Sequence, residues 1–127
     1  MSRDTQVYSF HLLYDVAAHE RRKLLKLTLA ALMCLKGVVY AEARGEPRLG
    51  QEAVAHVVLN RSINSGTEVC STVRKKRQFR QAPPPQSFEV SIAGPDPTGG
   101  ATYFRNYPGR WGHRRFLKQI GKHYFYG

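Results

Sequence analysis

The chain has 127 residues, which suit one domain able to bury about two-thirds of its unfolded surface. Its hydrophobic content of 42% and aromatic content of 11% exclude a mostly disordered chain. It has 20 Lys and Arg residues against 9 Asp and Glu, so its formal charge of +11 indicates an anionic partner. Nucleic acids and the carboxylate- and phosphate-bearing polymers of a bacterial envelope both fit, and charge alone does not distinguish them.

The sequence of the first 43 residues predicts an N-terminal extension followed by a long helix. Residues 1–23 are interpreted as an N-terminal extension, although residues 11–26 could also form a helix. The segment 22–43 is rich in Leu and Ala, contains no Pro, and is followed by Gly45 and Pro47. These features predict a buried central helix that ends near residue 43.

The start of this helix imitates a secretory signal. A basic stretch at 19–23 precedes an apolar run at 27–35 and a small-residue sequence at 41–43. We expect no signal peptide, because the basic stretch lies far from Met1 and because Lys36 interrupts the apolar run. A membrane span needs roughly 20 apolar residues, so this run is also too short for one. The sequence therefore predicts an unprocessed chain without a transmembrane segment.

The remaining elements are shorter. Residues 51–64 predict a second helix, because their apolar side chains recur at spacings of three and four. Residues 67–73 predict a short turn or helix, and the three prolines at 83–85 predict a stiff loop. A turn-rich loop at 94–100 then leads into a predicted strand at 101–104. The pattern indicates a mainly helical domain with a small β element.

The two cysteines, Cys34 and Cys70, are expected to be buried free thiols. Two cysteines make neither a disulfide framework nor a zinc cluster, and no His lies at ligand spacing from either. A single bridge between them would require Cα atoms about 4.4–6.8 Å apart, which the sequence does not show.

Glu42 is a carboxylate in an apolar position. It continues a helical stripe with Leu35 and Val39 that otherwise points to the core. Partial burial and the negative end of the helix dipole both oppose the charged form, and a general acid must hold its proton. An ordinary ion pair is the alternative, with one of three arginines as partner: Arg44, Arg48 or Arg61. Glu46 is expected to accept backbone amide protons beside the second helix.

Five segments carry motifs: 40–61 (YAEARGEPRLGQEAVAHVVLNR), 69–73 (VCSTV), 78–79 (QF), 97–104 (PTGGATYF) and 120–126 (IGKHYFY). Together they resemble the SleB-like cell wall hydrolases, the family of spore-cortex-lytic enzymes, over roughly residues 28–126. The resemblance implies a mainly α (α+β), lysozyme-like single domain at residues 24–127. In this fold a long buried helix carries one glutamate, and the matching residue is Glu42.

The resemblance also implies a reaction on the glycan strands of peptidoglycan. Glu42 would protonate the glycosidic oxygen between N-acetylmuramic acid and N-acetylglucosamine, then act as a base while the muramyl C6 hydroxyl attacks C1. The product would be a 1,6-anhydromuramyl end, as from a lytic transglycosylase. One carboxyl group is enough when the substrate supplies the nucleophile, although most glycosidases use two. Muramidase-type hydrolysis by water remains the alternative, and no metal or cofactor is implied.

The matched motifs supply amide, hydroxyl and backbone groups beside aromatic faces, as a sugar cleft requires. The predicted substrate-binding residues are Glu46, Gln78, Phe79, Thr98, Gly99, Ala101, Tyr103, Phe104, His123 and Tyr126. A tight turn followed by a packed strand would explain residues 98–104 equally well, and His123 could simply be a packed histidine.

Two departures from the family affect targeting and the groove. Members are expected to have a longer helical stretch where this chain has only residues 80–97 with three prolines, so the resemblance does not define one wall of the groove. The sequence carries no wall-binding repeat, so we expect contact with anionic envelope polymers through the basic surface, or through other virion proteins. We therefore hypothesise a phage lysin, released from the host cytoplasm by a holin or carried in a virion. It would act in the bacterial cell wall or periplasm.

Two functions of other classes remain open. The basic run at 74–77 and the basic and aromatic residues at 103–118 are typical of single-strand nucleic-acid binding. However, no recognised nucleic-acid motif is present, and no specific nucleic acid is expected as a partner. The other alternative is a structural virion protein that has kept the fold and lost activity.

Overall fold

The computed structural model describes residues 27–127, which form three helices followed by a three-stranded antiparallel sheet. The helices are α1 (Leu29–Ala43), α2 (Arg48–Ser65) and α3 (Val69–Arg74), and the strands are β1 (Tyr103–Arg105), β2 (Phe116–Ile120) and β3 (His123–Tyr126). None of the helices within residues 27–127 is long and apolar enough to cross a bilayer. The predicted fold class, mainly α with a small β element, is confirmed.

Helix α1 carries Glu42 and begins later than the sequence predicts. Thr28 is its N-cap, and the Thr28 hydroxyl accepts a hydrogen bond from the Ala31 amide at 3.1 Å. Because this cap starts the helix at residue 29, Leu27 and Thr28 are not helical, and the predicted start was wrong for them. The predictions for residues 1–26 lie outside the described residues, and the domain boundary at residue 24 stays a prediction. The predicted end of the helix is confirmed.

Helix α2 is the most deeply buried element. It contains the predicted second helix, and every residue from 53 to 60 is buried. Helix α1, predicted as the central helix, buries the face that carries Leu35 and Val39 but leaves Leu29 and Met33 largely exposed. Glu42 therefore lies at the edge of a core that is built around α2.

A disulfide joins α1 to α3 through Cys34 and Cys70, whose Cα atoms lie 5.4 Å apart. The prediction of free thiols was wrong. The two cysteines are 36 residues apart in the sequence, and it is the packing of α3 on α1 that brings their Cα atoms into the range a disulfide needs. The short helix predicted in this region is confirmed as α3.

The sheet has the order β1-β3-β2, and a tight turn at 121–122 connects β2 to β3. The strand predicted at 101–104 begins two residues later than expected. The reason is local, because the Ala101 amide still donates to the Thr98 hydroxyl at 3.0 Å and so belongs to the preceding turn. The C-terminal strand β3 lies in the middle of the sheet and carries His123 at its start.

Asp96 organises the end of the segment 75–102, which contains no helix or strand. Its carboxylate accepts hydrogen bonds from the amide and hydroxyl of Thr98, at 2.8 and 2.7 Å, and from the Asn60 side chain at 2.8 Å. Burial raises the pKa of Asp96, but these hydrogen bonds outweigh burial and hold the pKa below its ordinary value. The predicted turn-rich loop at 94–100 is confirmed, and Asn60 fastens it to α2.

Candidate active site

Glu42 lies in the last turn of α1 and lines a cavity of about 190 Å³. Only 12% of its side chain is exposed. The other lining residues come from α2, the segment after α3, and the sheet: Arg61, Gln78, Phe79, Arg80, Phe104, Arg105, Asn106 and His123. Glu42 is the one carboxylate among these described residues. It is therefore the one carboxyl group of this lining that can give or take a proton.

Arg80 holds the carboxylate of Glu42. Nε and Nη2 of Arg80 donate to Oε1 at 3.1 and 3.0 Å, and the Arg80 backbone amide donates to Oε2 at 3.0 Å. These bonds fix the orientation of the Glu42 carboxylate. The Arg80 side chain is 76% exposed, so its guanidinium can move away without disturbing the core.

The sequence-based alternative for Glu42 was an ion pair with an arginine. Glu42 does pair with an arginine, but the partner is Arg80 and none of the three arginines that were predicted. Arg44 stacks on a tyrosine ring of α1, and Arg48 pairs at 3.7 Å with a carboxylate one turn further along α2. Arg61 lies between two aromatic rings. The ion pair with Arg80 forms instead because the segment after α3 folds back over the end of α1.

Arg61 fixes one wall of the cavity. Its guanidinium carbon lies 4.8 Å from the ring centre of Phe79 and 4.2 Å from that of Tyr103. Its Nε donates to the Thr102 carbonyl and its Nη1 to the side-chain oxygen of Gln78. Cation–π contacts and hydrogen bonds together hold the predicted glutamine and phenylalanine in place.

His123 brings a buried ring to the cavity. The residue is 7% exposed, and its ring packs edge-on against Phe104 with centroids 4.9 Å apart. Its Nδ1 has no hydrogen-bond partner among residues 27–127. Burial lowers the pKa of His123, although the charges of Glu46 and Glu42 oppose this. The imidazole is therefore neutral at neutral pH and can hydrogen-bond a molecule in the cavity.

The buried His123 is expected to make the stability of the protein depend on pH. Its folded-state pKa lies below the ordinary histidine value of 6.5, so the unfolded chain binds more protons as the pH falls. The free energy of unfolding should be highest above pH 6.5 and decrease as the pH falls through the folded-state pKa. Urea unfolding between about pH 5 and 8 should show a flatter dependence for His123→Gln. Identical pH dependence in the two proteins would contradict this.

Glu46 holds the turn that precedes His123. Its Oε1 accepts a hydrogen bond from the Lys122 amide at 2.9 Å. Gly121 has a φ of +59°, and a Cβ at that position would lie 2.1 Å from Oε1, so glycine is required there. The carboxylate accepts a backbone amide proton as expected, but from the hairpin turn and not from α2. Glu46 does not line the cavity of Glu42.

The structure divides the other predicted substrate-binding residues into two groups. Those that line the cavity of Glu42 are Gln78, Phe79, Phe104 and His123. Those that do not are Thr98, Gly99, Ala101, Tyr103 and Tyr126. Tyr103 lines a neighbouring cavity, whereas Tyr126 is buried and its hydroxyl donates to the Gly109 carbonyl at 2.7 Å. Substrate binding by any of these residues stays a prediction.

The cavity can perform proton transfer beside a polar, partly aromatic binding surface. Glu42 can give or take a proton, His123 and Gln78 can hydrogen-bond polar groups, and Phe79 and Phe104 offer aromatic rings. Within residues 27–127, no three His, Cys, Asp or Glu side chains lie close enough together to hold a metal ion.

A family model described as Cell Wall Hydrolase matches residues 45–126, which is most of the chain. The chain belongs to the cell wall hydrolase family. The matched range begins just after Glu42 and includes the other residues of α2, the segment after α3 and the sheet that line its cavity. The predicted family and the prediction of an enzyme are confirmed.

Curated relatives of this cell wall hydrolase are spore cortex-lytic enzymes. The one from Halalkalibacterium halodurans is 38% identical, and the match covers 68% of this chain and 32% of the relative. The one from Bacillus cereus is 35% identical, and the match covers 74% of this chain and 43% of the relative. The matched region thus spans about a third to two-fifths of the length of these relatives.

Two solved structures of catalytic domains share the fold. The catalytic domain of the germination-specific lytic transglycosylase SleB from Bacillus anthracis is 31% identical with a TM-score of 0.68, and the match covers 80% of this chain and 97% of that one. The catalytic domain of the Bacillus cereus SleB protein is 32% identical with a TM-score of 0.62, covering 79% and 91%. These matches confirm the lysozyme-like fold predicted for the cell wall hydrolase.

Four residues of the cavity in this cell wall hydrolase were not predicted as site residues: Arg61, Arg80, Arg105 and Asn106. Arg61 lies within the matched segment 40–61 but was considered only as an ion-pair partner of Glu42. Arg80 directly follows the matched pair Gln78-Phe79, and Arg105 and Asn106 directly follow the matched motif at 97–104. For these three, the site extends one or two residues beyond the motif.

Proposed function

We propose that this cell wall hydrolase cleaves the glycan strands of peptidoglycan between N-acetylmuramic acid and N-acetylglucosamine, as a lytic transglycosylase with Glu42 as acid and base. The observation that carries the proposal is that Glu42 is the one carboxylate among the described residues that line its cavity. A reaction that needs one carboxyl group fits this arrangement better than one that needs two. The description of the Bacillus anthracis neighbour as a lytic transglycosylase supports the reaction type.

The reaction balances with Glu42 alone. The protonated carboxyl group gives its proton to the glycosidic oxygen while the bond from muramyl C1 to that oxygen breaks. The Glu42 carboxylate then takes the proton of the muramyl C6 hydroxyl. At the same time, the oxygen of that hydroxyl forms a bond to C1. Glu42 thereby regains its proton, and the products are an N-acetylglucosamine hydroxyl and a 1,6-anhydromuramyl end.

The neighbouring residues orient the sugar in this proposal. His123 and Gln78 hydrogen-bond polar groups of the sugar, and the Phe79 and Phe104 rings pack against its apolar faces.

Product analysis tests the function. Purified peptidoglycan is digested with the wild type, with Glu42→Gln, and with the exposed control Glu89→Gln, and the soluble muropeptides are examined by mass spectrometry. We expect 1,6-anhydromuramyl ends from the wild type and the control. Reducing muramyl ends would convert the proposal into muramidase-type hydrolysis, and no soluble fragments from the wild type would refute it.

The nucleic-acid alternative is less favoured by the contacts of its basic residues. Arg105 donates to the carbonyls of Tyr107 and Gly109 at 3.1 and 2.8 Å, and Arg114 stacks on Tyr103 with 3.9 Å between guanidinium carbon and ring centre. These guanidinium groups are engaged within the fold. The proposed phage origin stays a prediction, since the curated relatives are spore cortex-lytic enzymes of bacteria.

A further inference from the structure

A second cavity, of about 480 Å³, adjoins the cavity of Glu42 and is larger than it. Arg61 and Gln78, whose side chains are hydrogen-bonded to each other, line both, so the two cavities are direct neighbours. We call the larger one the Lys75 cavity, after the Lys75 side chain that lines it with Asn64, Ser71 and Tyr103. No step of the proposed reaction accounts for it, although several of its lining residues lie in the matched motifs.

The Lys75 cavity is polar and cationic. Its described lining includes two cations, Arg61 and Lys75, and no acidic residue. Lys75 forms no ion pair with another residue between 27 and 127, so its charge is available to a ligand. The pKa of Tyr103 is lowered by a hydrogen bond from Arg114 and by the charges of Arg61, Arg114 and Lys75, although burial opposes this. These observations indicate a positive potential at the cavity wall.

The hydroxyl groups of the cavity are held in a fixed arrangement. The Ser65 and Thr67 hydroxyls are 2.6 Å apart, and those of Thr67 and Thr72 are 2.9 Å apart. Ser65 and Thr72 also donate to backbone carbonyls of α2 and of the residue before α3, at 2.8 and 3.0 Å. Each of these three hydroxyls already donates its proton within the chain, so together they offer ordered acceptor oxygens to N–H groups of a ligand, such as the amides of a peptide.

We propose that the Lys75 cavity binds the peptide that is attached to the muramic acid of the substrate, through the carboxylates of that peptide. This inference rests on the proposed function, because the peptide is carried by the sugar at the cleaved bond and must lie beside Glu42. An uncharged N-acetylglucosamine unit has no need of the Lys75 charge, whereas a carboxylate-bearing peptide does. The larger volume fits an extended peptide better than the small cavity of Glu42 does.

Two substrates separate peptide recognition from cleavage. One is teichoic-acid-free peptidoglycan with its peptides, and the other is the same material stripped of peptides by an amidase. For Lys75→Gln we expect KM on the peptide-bearing strands to rise about two- to fivefold, the range of a solvent-exposed ion pair, with kcat unchanged. KM on the stripped strands should not change. The control Lys118→Gln removes the same charge from β2, outside both cavities, and should change neither substrate.

Direct binding keeps this inference distinct from the proposed function. Glu42→Gln protein is titrated by NMR with a soluble tripeptide carrying free carboxylates, and in parallel with inorganic phosphate. Saturable peptide binding that weakens in Lys75→Gln supports the inference even if no cleavage is found. An equal KM change on both substrates, no effect of Lys75→Gln, or binding of phosphate without binding of the peptide would overturn it. Failure of the wild type to cleave either substrate refutes the proposed function instead.

Discussion

Replacing Glu42 with Gln is expected to lower the rate of peptidoglycan cleavage by about 10²–10⁴-fold, the contribution of a positioned general acid or base. Glutamine has nearly the same shape as glutamate. Its side-chain oxygen can still accept the hydrogen bond from the Arg80 backbone amide, which is 3.0 Å long in the wild type. It holds no exchangeable acidic proton, so both the acid and the base step are lost. Initial rates of fragment release from purified peptidoglycan measure the change.

The control for Glu42→Gln is thermal unfolding together with Glu89→Gln. The ionic partner of Glu42 is the Arg80 side chain, which is 76% exposed, so losing the charge at position 42 should change the melting temperature little. Glu89 is exposed in the segment after α3 and outside the cavity of Glu42, and its replacement should leave the rate unchanged. A Glu42→Gln protein that is folded and retains the wild-type rate would remove Glu42 from the mechanism.

Removing the disulfide by the double change Cys34→Ala and Cys70→Ala is expected to lower the free energy of unfolding by roughly 4 kcal/mol. The bridge spans 36 residues, and the entropy of closing a loop of that length in the unfolded chain gives this value. Denaturant unfolding measures the loss from the shift in midpoint. Because α1 carries Glu42, activity should also fall at temperatures where the variant begins to unfold.

Reduction provides the matched control for the disulfide. Dithiothreitol should lower the stability of the wild type toward that of the double variant and should have no effect on the double variant itself. Equal unfolding midpoints for the oxidised wild type and the double variant would show that the bridge does not stabilise the fold.

Local features of this fold could be predicted from the sequence because they depend on neighbouring residues. The end of α1 at Gly45 and Pro47, the apolar spacing of α2, and the turn-rich loop before β1 all follow from short-range chemistry. The helical stripe of Leu35, Val39 and Glu42 could also be predicted, because residues three and four apart lie on the same face of a helix. Resemblance then supplied the family, which composition and spacing did not.

Contacts between distant residues could not be predicted. Arg80 pairs with Glu42 across 38 residues, and the path of a proline-containing segment decides which arginine arrives there. Glu46 accepts the amide of Lys122 across 76 residues, which requires the hairpin to fold against the end of α1. Each of these depends on packing that no local pattern encodes, and together they set the surroundings of the proposed acid.

Digestion of purified peptidoglycan in heavy-oxygen water tests the central claim most directly. If the muramyl C6 hydroxyl is the nucleophile and Glu42 moves the protons, mass spectrometry should find anhydromuramyl ends without heavy oxygen from the wild type. The same ends should be nearly absent from the Glu42→Gln digest. Muramyl ends that carry heavy oxygen, or unlabelled anhydromuramyl ends formed at the same rate by Glu42→Gln, would contradict the account.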